Sequence, residues 1–235
     1  MLELLARRYR VIAPDLPGFG GSTIPKTVWG LHEYATFLAR FLVSLHIHDL
    51  TVIGHSLGGG IALHLAINVA TLGIVTRLVL VDSAGIPGEL SAVAFRYKFY
   101  FAEPLSTLVQ YRNLSRLAYV AKDFLSNRMD KILQWEHIVQ IIRKCLTSEF
   151  PAFDEVRCPT LILWGKKDQV FPPIHAQYFH QRIRGSDLKF VKGNHDWCLF
   201  KPDELYAHVD RWLRVGTVRA DVLRVEGRRA SLPRT

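Results

Sequence analysis

Cysteine is scarce in this 235-residue chain: there are three, Cys145, Cys158 and Cys198, with no C-x-x-C pair among them. An odd count at such spacing excludes a disulfide framework and a thiolate zinc site, and it predicts a cytoplasmic protein in a reducing compartment. Long apolar runs are equally scarce. The start, Met1 to Arg10, sets Glu3, Arg7 and Arg8 among its few apolar residues, so no signal peptide is expected. Residues 50–76 lack Asp, Glu, Lys and Arg, which is long enough on paper for a membrane span, but His55-Ser56-Leu57-Gly58-Gly59-Gly60 interrupts them and His64 and Asn68 follow. Strand, turn and helix are expected there, with no integral membrane segment.

Acidic charge is in deficit, 21 Asp and Glu against 30 Lys and Arg, for a net +9. Six arginines (214, 219, 224, 228, 229 and 234) against Asp221 and Glu226 place +4 of that in residues 214–235. The excess is largely a tail. Elsewhere no basic cluster interleaves with stacking aromatics, so nucleic acid is not an expected partner. Hydrophobic residues at 49% and charged residues at 22% exclude wholesale disorder and fit one large domain carrying an insertion.

Along the chain, Arg10 to Pro14 (RVIAP) reads as a strand closed by proline, followed by the turn-rich loop Asp15 to Ser22. Apolar residues at 31, 34, 35, 38, 41, 42 and 45 predict an amphipathic helix. Further strands are predicted at 50–53, 77–81, 160–164 and 188–191, and helices at 57–69, 172–183 and 202–213, the last with Pro202 in its first turn. Alternating strands and helices predict an α/β fold with a mostly parallel sheet covered by helices on both faces. The alternation fails over 86–152, read as an inserted helical cap. The core is then residues 1–85 and 153–214, and 215–235 is a basic flexible tail.

Gly54-His55-Ser56-Leu57-Gly58 fits G-x-S-x-G between a predicted strand and a predicted helix, the setting of a nucleophile elbow. Gly54 and Gly58 are expected to let the helix cross close to the strand. The backbone N–H of Leu57 is expected to face a developing oxyanion, a donor worth ~3 kcal/mol in the transition state. A serine needs a base, and the base needs an acid to hold its tautomer. Asp168, just past strand 160–164, and His195, just past strand 188–191, fall at the ligand-binding edge of a parallel sheet in the order Ser, Asp, His. Taken singly, Asp168 could cap the next helix and His195 could lie on the surface.

With these landmarks the chain resembles the alpha/beta-hydrolase family over residues 1–213, through VIAPDLPGFGGS at 11–22, the GHSLGGG elbow, WGKKDQVFP at 164–172 and KGNHDWCLFKPDEL at 192–205. The resemblance implies the alpha/beta-hydrolase fold, with Ser56 as nucleophile, His195 as general base, Asp168 as its orienting acid and 86–152 as the cap. Asp82, after strand 77–81, is the alternative acid. Serine at position 56 sets aside relatives that use an elbow aspartate, the haloalkane dehalogenases and epoxide hydrolases. The expected reaction is cofactor-free hydrolysis of a carboxylic ester or similar small acyl substrate. A C–C hydrolase, thioesterase, lactonase or cofactor-free haloperoxidase of the same fold would show the same three residues, and a non-catalytic binding protein is the remaining alternative.

Other features read as structural. Asp15, Gly18 and Gly20 match a structural loop of the family and do not complete a dinucleotide fingerprint. His46 and His48 lack a third ligand, so no metal site is expected. Phe95, Tyr97, Phe99, Tyr100 and Phe101 would line an acyl pocket, form a lipid-facing surface or make the core of the cap. Family members begin with strands that this chain lacks, including the one whose His-Gly loop gives the second oxyanion donor. We therefore expect an N-terminally truncated start at an internal Met, a gap beside the elbow strand, and impaired ester turnover.

Overall fold

Four runs of β-branched and apolar residues become strands in the computed structural model, which describes residues 1–86, 106–107, 118, 135–147 and 151–229. They are β1 (Leu50–His55), β2 (Val75–Val81), β3 (Thr160–Gly165) and β4 (Asp187–Val191), in the spatial order β1-β2-β3-β4. All pairs are parallel, with His55 beside Val81, Val81 beside Leu163, and Gly165 beside Val191. The register therefore brings the carboxyl ends of all four strands to one rim. Leu78, Leu80, Ile162 and Trp164 alternate with Val79, Val81, Leu161 and Leu163, and all eight are fully buried. Both faces of the inner strands are thus dry, as continuous apolar spelling in a parallel sheet demands.

The run at 10–14 is no strand. Residues 10–16 are irregular and mostly exposed, and the sheet begins at β1. β-branched spelling does not suffice when no neighbouring strand accepts its ladder, because each extended residue must find a partner for its N–H and C=O. The loop that follows is held by Asp15. Its carboxylate accepts the Gly21 N–H at 2.9 Å, its carbonyl accepts the Ser22 hydroxyl at 2.7 Å, and a Cβ on Gly20, at φ 51°, would strike the Asp15 carboxyl at 2.3 Å.

The predicted helices form as α2 (Leu31–Ser44), α3 (Leu57–Asn68) and α5 (Ile174–Arg182). The side chain of Glu33 accepts the Gly30 N–H at 3.0 Å, closing the start of α2. α3 packs against α2, β1 and β2, and α5 against β3 and β4. Ala35, Leu42, Leu63, Leu80, Trp164 and Phe179 belong to an apolar core that joins them. Of the expected cap, α4 (Trp135–Leu146) is described, and the aromatics at 95–101 lie outside the described residues. Lys144 of α4 donates to the Val28 carbonyl at 3.0 Å and pairs with Glu33. The short α6 (Trp197–Phe200) follows β4.

Residues Met1–Ile12 and the described residues from Lys201 onward form a separate compact body. Within it α1 (Leu2–Ala6) meets α7 (Pro202–Arg229), Tyr9 donates to Asp210 at 3.3 Å, and Arg214 pairs with Asp210 at 2.8 Å. Pro202 opens α7 as expected, but the helical backbone continues past Leu213 to Arg229. Residues 214–229 contain no proline, so helical hydrogen bonding meets no obstacle after the apolar periodicity ends. No helix of the described residues is long and apolar enough to cross a membrane.

Candidate active site

The elbow is built from contacts that only glycine permits. A Cβ on Gly54 would meet the Gly58 carbonyl oxygen at 2.3 Å and the Gly59 Cα at 2.7 Å, both backbone atoms that cannot give way. On the other side, a Cβ on Gly59 would meet Ser83 Oγ at 2.4 Å and its Cβ at 2.7 Å, whereas one on Gly58 would meet none of the described residues within 4 Å. The expectation for Gly58 is corrected accordingly. The turn lets the chain close tightly at Gly54 and Gly59, one residue beyond the motif's last glycine.

Between them Ser56 sits at φ 54°, ψ −123°, a region costing about 1 to 3 kcal/mol for a side-chain-bearing residue. Backbone bonds hold it there. Its N–H donates to the Val81 carbonyl at 3.0 Å, and its own carbonyl accepts from Gly59 at 3.0 Å, Gly60 at 3.3 Å and Ala84 at 2.9 Å. Leu57 opens α3, so its N–H is among the first four of the helix, which lack intrahelical acceptors.

The rim brings together the three distant side chains. Ser56 Oγ lies 2.9 Å from His195 Nε2, and His195 Nδ1 lies 2.9 Å from Asp168 Oδ2. His195 is 1% exposed and Asp168 4%, so neither the surface-histidine reading nor a solvated carboxylate applies. Asp168 does not cap α5. Its Oδ1 accepts the N–H groups of Val170 and Phe171 at 2.8 Å each, which fixes the carboxylate in its own turn and leaves Oδ2 for the imidazole. With Nδ1–H donated to the carboxylate, Nε2 faces Ser56 Oγ as an acceptor. The ring of Phe171 stands edge-on to His195 at 5.3 Å.

Asp82, the alternative acid, reaches the same cluster without taking the imidazole. It stands at φ 42° after β2, fully buried, and accepts the Gly165 N–H at 2.7 Å and the Trp197 Nε1–H at 2.6 Å. Burial first, and then the neighbouring Asp168, raise its carboxyl well above the ordinary range.

Sequence reasoning passed over three participants. His55 Nε2 lies 3.0 Å from the His195 carbonyl, so its N–H spans from the residue before Ser56 to the backbone of His195. Burial, and next the proximity of His195, push His55 down to about 3, which keeps it neutral. Asn194 donates to Thr107 at 2.6 Å, tying a described piece of the expected cap segment to the loop of His195. Trp197 anchors Asp82. The variable position of G-x-S-x-G and two residues flanking a histidine carry no motif of their own, so no local spelling could have marked them.

Two groups of potential metal ligands occur among the described residues, His55 with His195 and Asp196, and Asp82 with Asp168 and His195. Both run through His195, whose ring nitrogens are engaged by Ser56 and Asp168. A cation would have to displace one of those bonds.

Comparison with known proteins finds relatives over most of the chain. An uncharacterised protein of Mycobacterium tuberculosis is 27% identical over 224 residues, spanning 81% of this chain, and the chain spans 63% of that relative's length. A 2-hydroxy-6-oxo-2,4-heptadienoate hydrolase of Pseudomonas putida is 27% identical over 78% of this chain and 70% of its own. Among solved structures, the 2-hydroxy-6-oxo-6-phenylhexa-2,4-dienoate hydrolase of a Rhodococcus strain superposes with a TM-score of 0.75 at 19% identity, covering 91% of this chain and 83% of that one, and so shares the fold. The family model described as the alpha/beta hydrolase family matches residues 1–208, and the chain belongs to that family.

Proposed function

We propose that the chain is a serine hydrolase that acts on a carboxylic ester or similar acyl substrate through an acyl-enzyme. The observation that carries this reading is the unbroken pair of 2.9 Å contacts from Ser56 Oγ through His195 to Asp168. His195 takes the serine proton as Oγ attacks the carbonyl carbon, and Asp168 holds the imidazole in the required tautomer and stabilises the imidazolium. The tetrahedral oxyanion lies against the Leu57 N–H at the start of α3, where the helix dipole adds to the donor. The imidazolium then returns the proton to the leaving group. Water, activated by the same imidazole, frees the acyl group and regenerates the serine.

An active-site serine probe of the fluorophosphonate class tests it. Labelling of the folded chain that disappears in Ser56→Ala supports the enzyme; a folded chain that resists labelling favours a non-catalytic binding protein.

A second reading is hydrolysis of a C–C bond in a dienoic 2-hydroxy-6-oxo acid, favoured by the Pseudomonas putida relative. Turnover of such a dienoate, compared with a panel of short and long acyl esters, separates the two. The segment 86–152, as a cap, would set the acyl preference.

A further inference from the structure

Asp82 is fully buried one residue past β2, and the mechanism above leaves it unused. The Asp168 carboxyl is its charged neighbour and, after burial, raises its pKa. One oxygen of each, together with a ring nitrogen of His195, falls within 4.8 Å of the others. Two carboxylates so close and so buried cannot both be ionised, because each charge has lost its water and repels the other. One proton must therefore reside on the pair.

The hydrogen bonds decide which member holds it. Asp168 receives three N–H donors, from Val170, Phe171 and His195, and the third becomes a cation during the reaction. Asp82 receives two, from Gly165 and Trp197. More donors, and a potentially cationic one, favour the anion at Asp168. We propose that Asp82 is held as the neutral acid and donates its proton to Asp168, serving as a positioning residue behind the carboxylate that orients His195.

The titratable groups facing Asp82 are Asp168 from the loop after β3, His195 from the loop after β4 and Cys198 from α6, whose thiol is pushed up by burial and then by Asp82 itself. The shared proton spreads the charge of Asp168, so His195 grips its own proton less tightly. This catalytic consequence rests on the acyl-transfer reading, whereas the placement of the proton does not.

The test uses the full chain carrying Ser56→Ala and labelled with carbon-13 at its aspartate carboxyls, titrated by NMR from pH 4 to 8. One buried carboxyl should remain in the protonated form at pH 7 and vanish from the spectrum of Asp82→Asn, which distinguishes it from Asp196, also raised by burial. In Asp168→Asn the same resonance should titrate lower by about one pH unit or more, since the neighbouring charge is gone. That second variant keeps the assignment if Asp82→Asn does not fold. Ionisation of every buried aspartate at pH 7, or a resonance indifferent to Asp168→Asn, would overturn the proposal. In the active chain, Asp82→Val should move the acid limb of kcat/KM upward, while Asp82→Asn, which keeps a donor toward Asp168, leaves it in place. An unmoved limb in Asp82→Val contradicts the positioning role. A protonated Asp82 in a chain that never turns over sinks the acyl-transfer reading alone.

Discussion

The elbow at 54–59 and the rim loops at 165–171 and 193–197 reach one site by different physical means. The elbow is steric: Gly54 and Gly59 bring backbones within a distance that excludes a Cβ, and Ser56 is held in a strained conformation by four backbone hydrogen bonds. The rim is polar. Asp168 and His195 have no positive φ, and they are placed by strand register and by buried hydrogen bonds. Damage to the elbow's glycines should appear in folding, and damage to the Ser56 hydroxyl or to the rim in chemistry.

On the proposed mechanism Ser56→Ala removes the attacking oxygen and leaves the turn's backbone bonds in place. Turnover should fall by ~10⁴-fold or more with little change in melting temperature, measured by steady-state kinetics and calorimetry on the same sample. Asp168→Asn should rank next, at roughly 10³- to 10⁴-fold in kcat, because the amide favours the wrong imidazole tautomer. A loss in Asp82→Asn as large as that in Asp168→Asn would erase the distinction between the two carboxyls.

On the steric side, Gly59→Ala should destabilise the fold by about 1 to 3 kcal/mol, since Ser83 blocks the added methyl. Gly58→Ala meets no described residue and should instead stabilise by up to about 1 kcal/mol through helix propensity in α3. Equal costs for the two substitutions in denaturant titrations would show that the close approach is misplaced.

Acid sensitivity turns on His55. With its folded value near 3 and an unfolded value of about 6.5, His55 takes up a proton on unfolding, so stability rises with pH between those values and is lost as pH falls through the window. His55→Gln keeps an N–H that can reach the His195 carbonyl but cannot titrate there. Melting curves from pH 4 to 7 should therefore slope less steeply in this variant, and an unchanged slope would show that His55 is not the group concerned.

Legibility in the sequence followed the same divide between local and distant causes. The elbow was readable because strand, strained serine and helix occupy contiguous residues, although the glycine after the motif, Gly59, makes the contact assigned to Gly58. Asp168 and His195 were readable from their offsets past two apolar runs, since a parallel sheet brings every strand's end to the same rim. The strand expected at 10–14 failed because local spelling says nothing about the partner a ladder requires. His55, Asn194 and Trp197 escaped notice because their roles lie in hydrogen bonds to residues far along the chain, as in the 140 positions between His55 and His195.

The rate at which a fluorophosphonate modifies Ser56, followed by intact and peptide mass across pH, tests the convergence of the three side chains most directly. The modification should rise through a single ionisation, map to Ser56, and slow by orders of magnitude in His195→Ala. A rate that is flat with pH and indifferent to His195 would mean that the buried imidazole does not activate the serine.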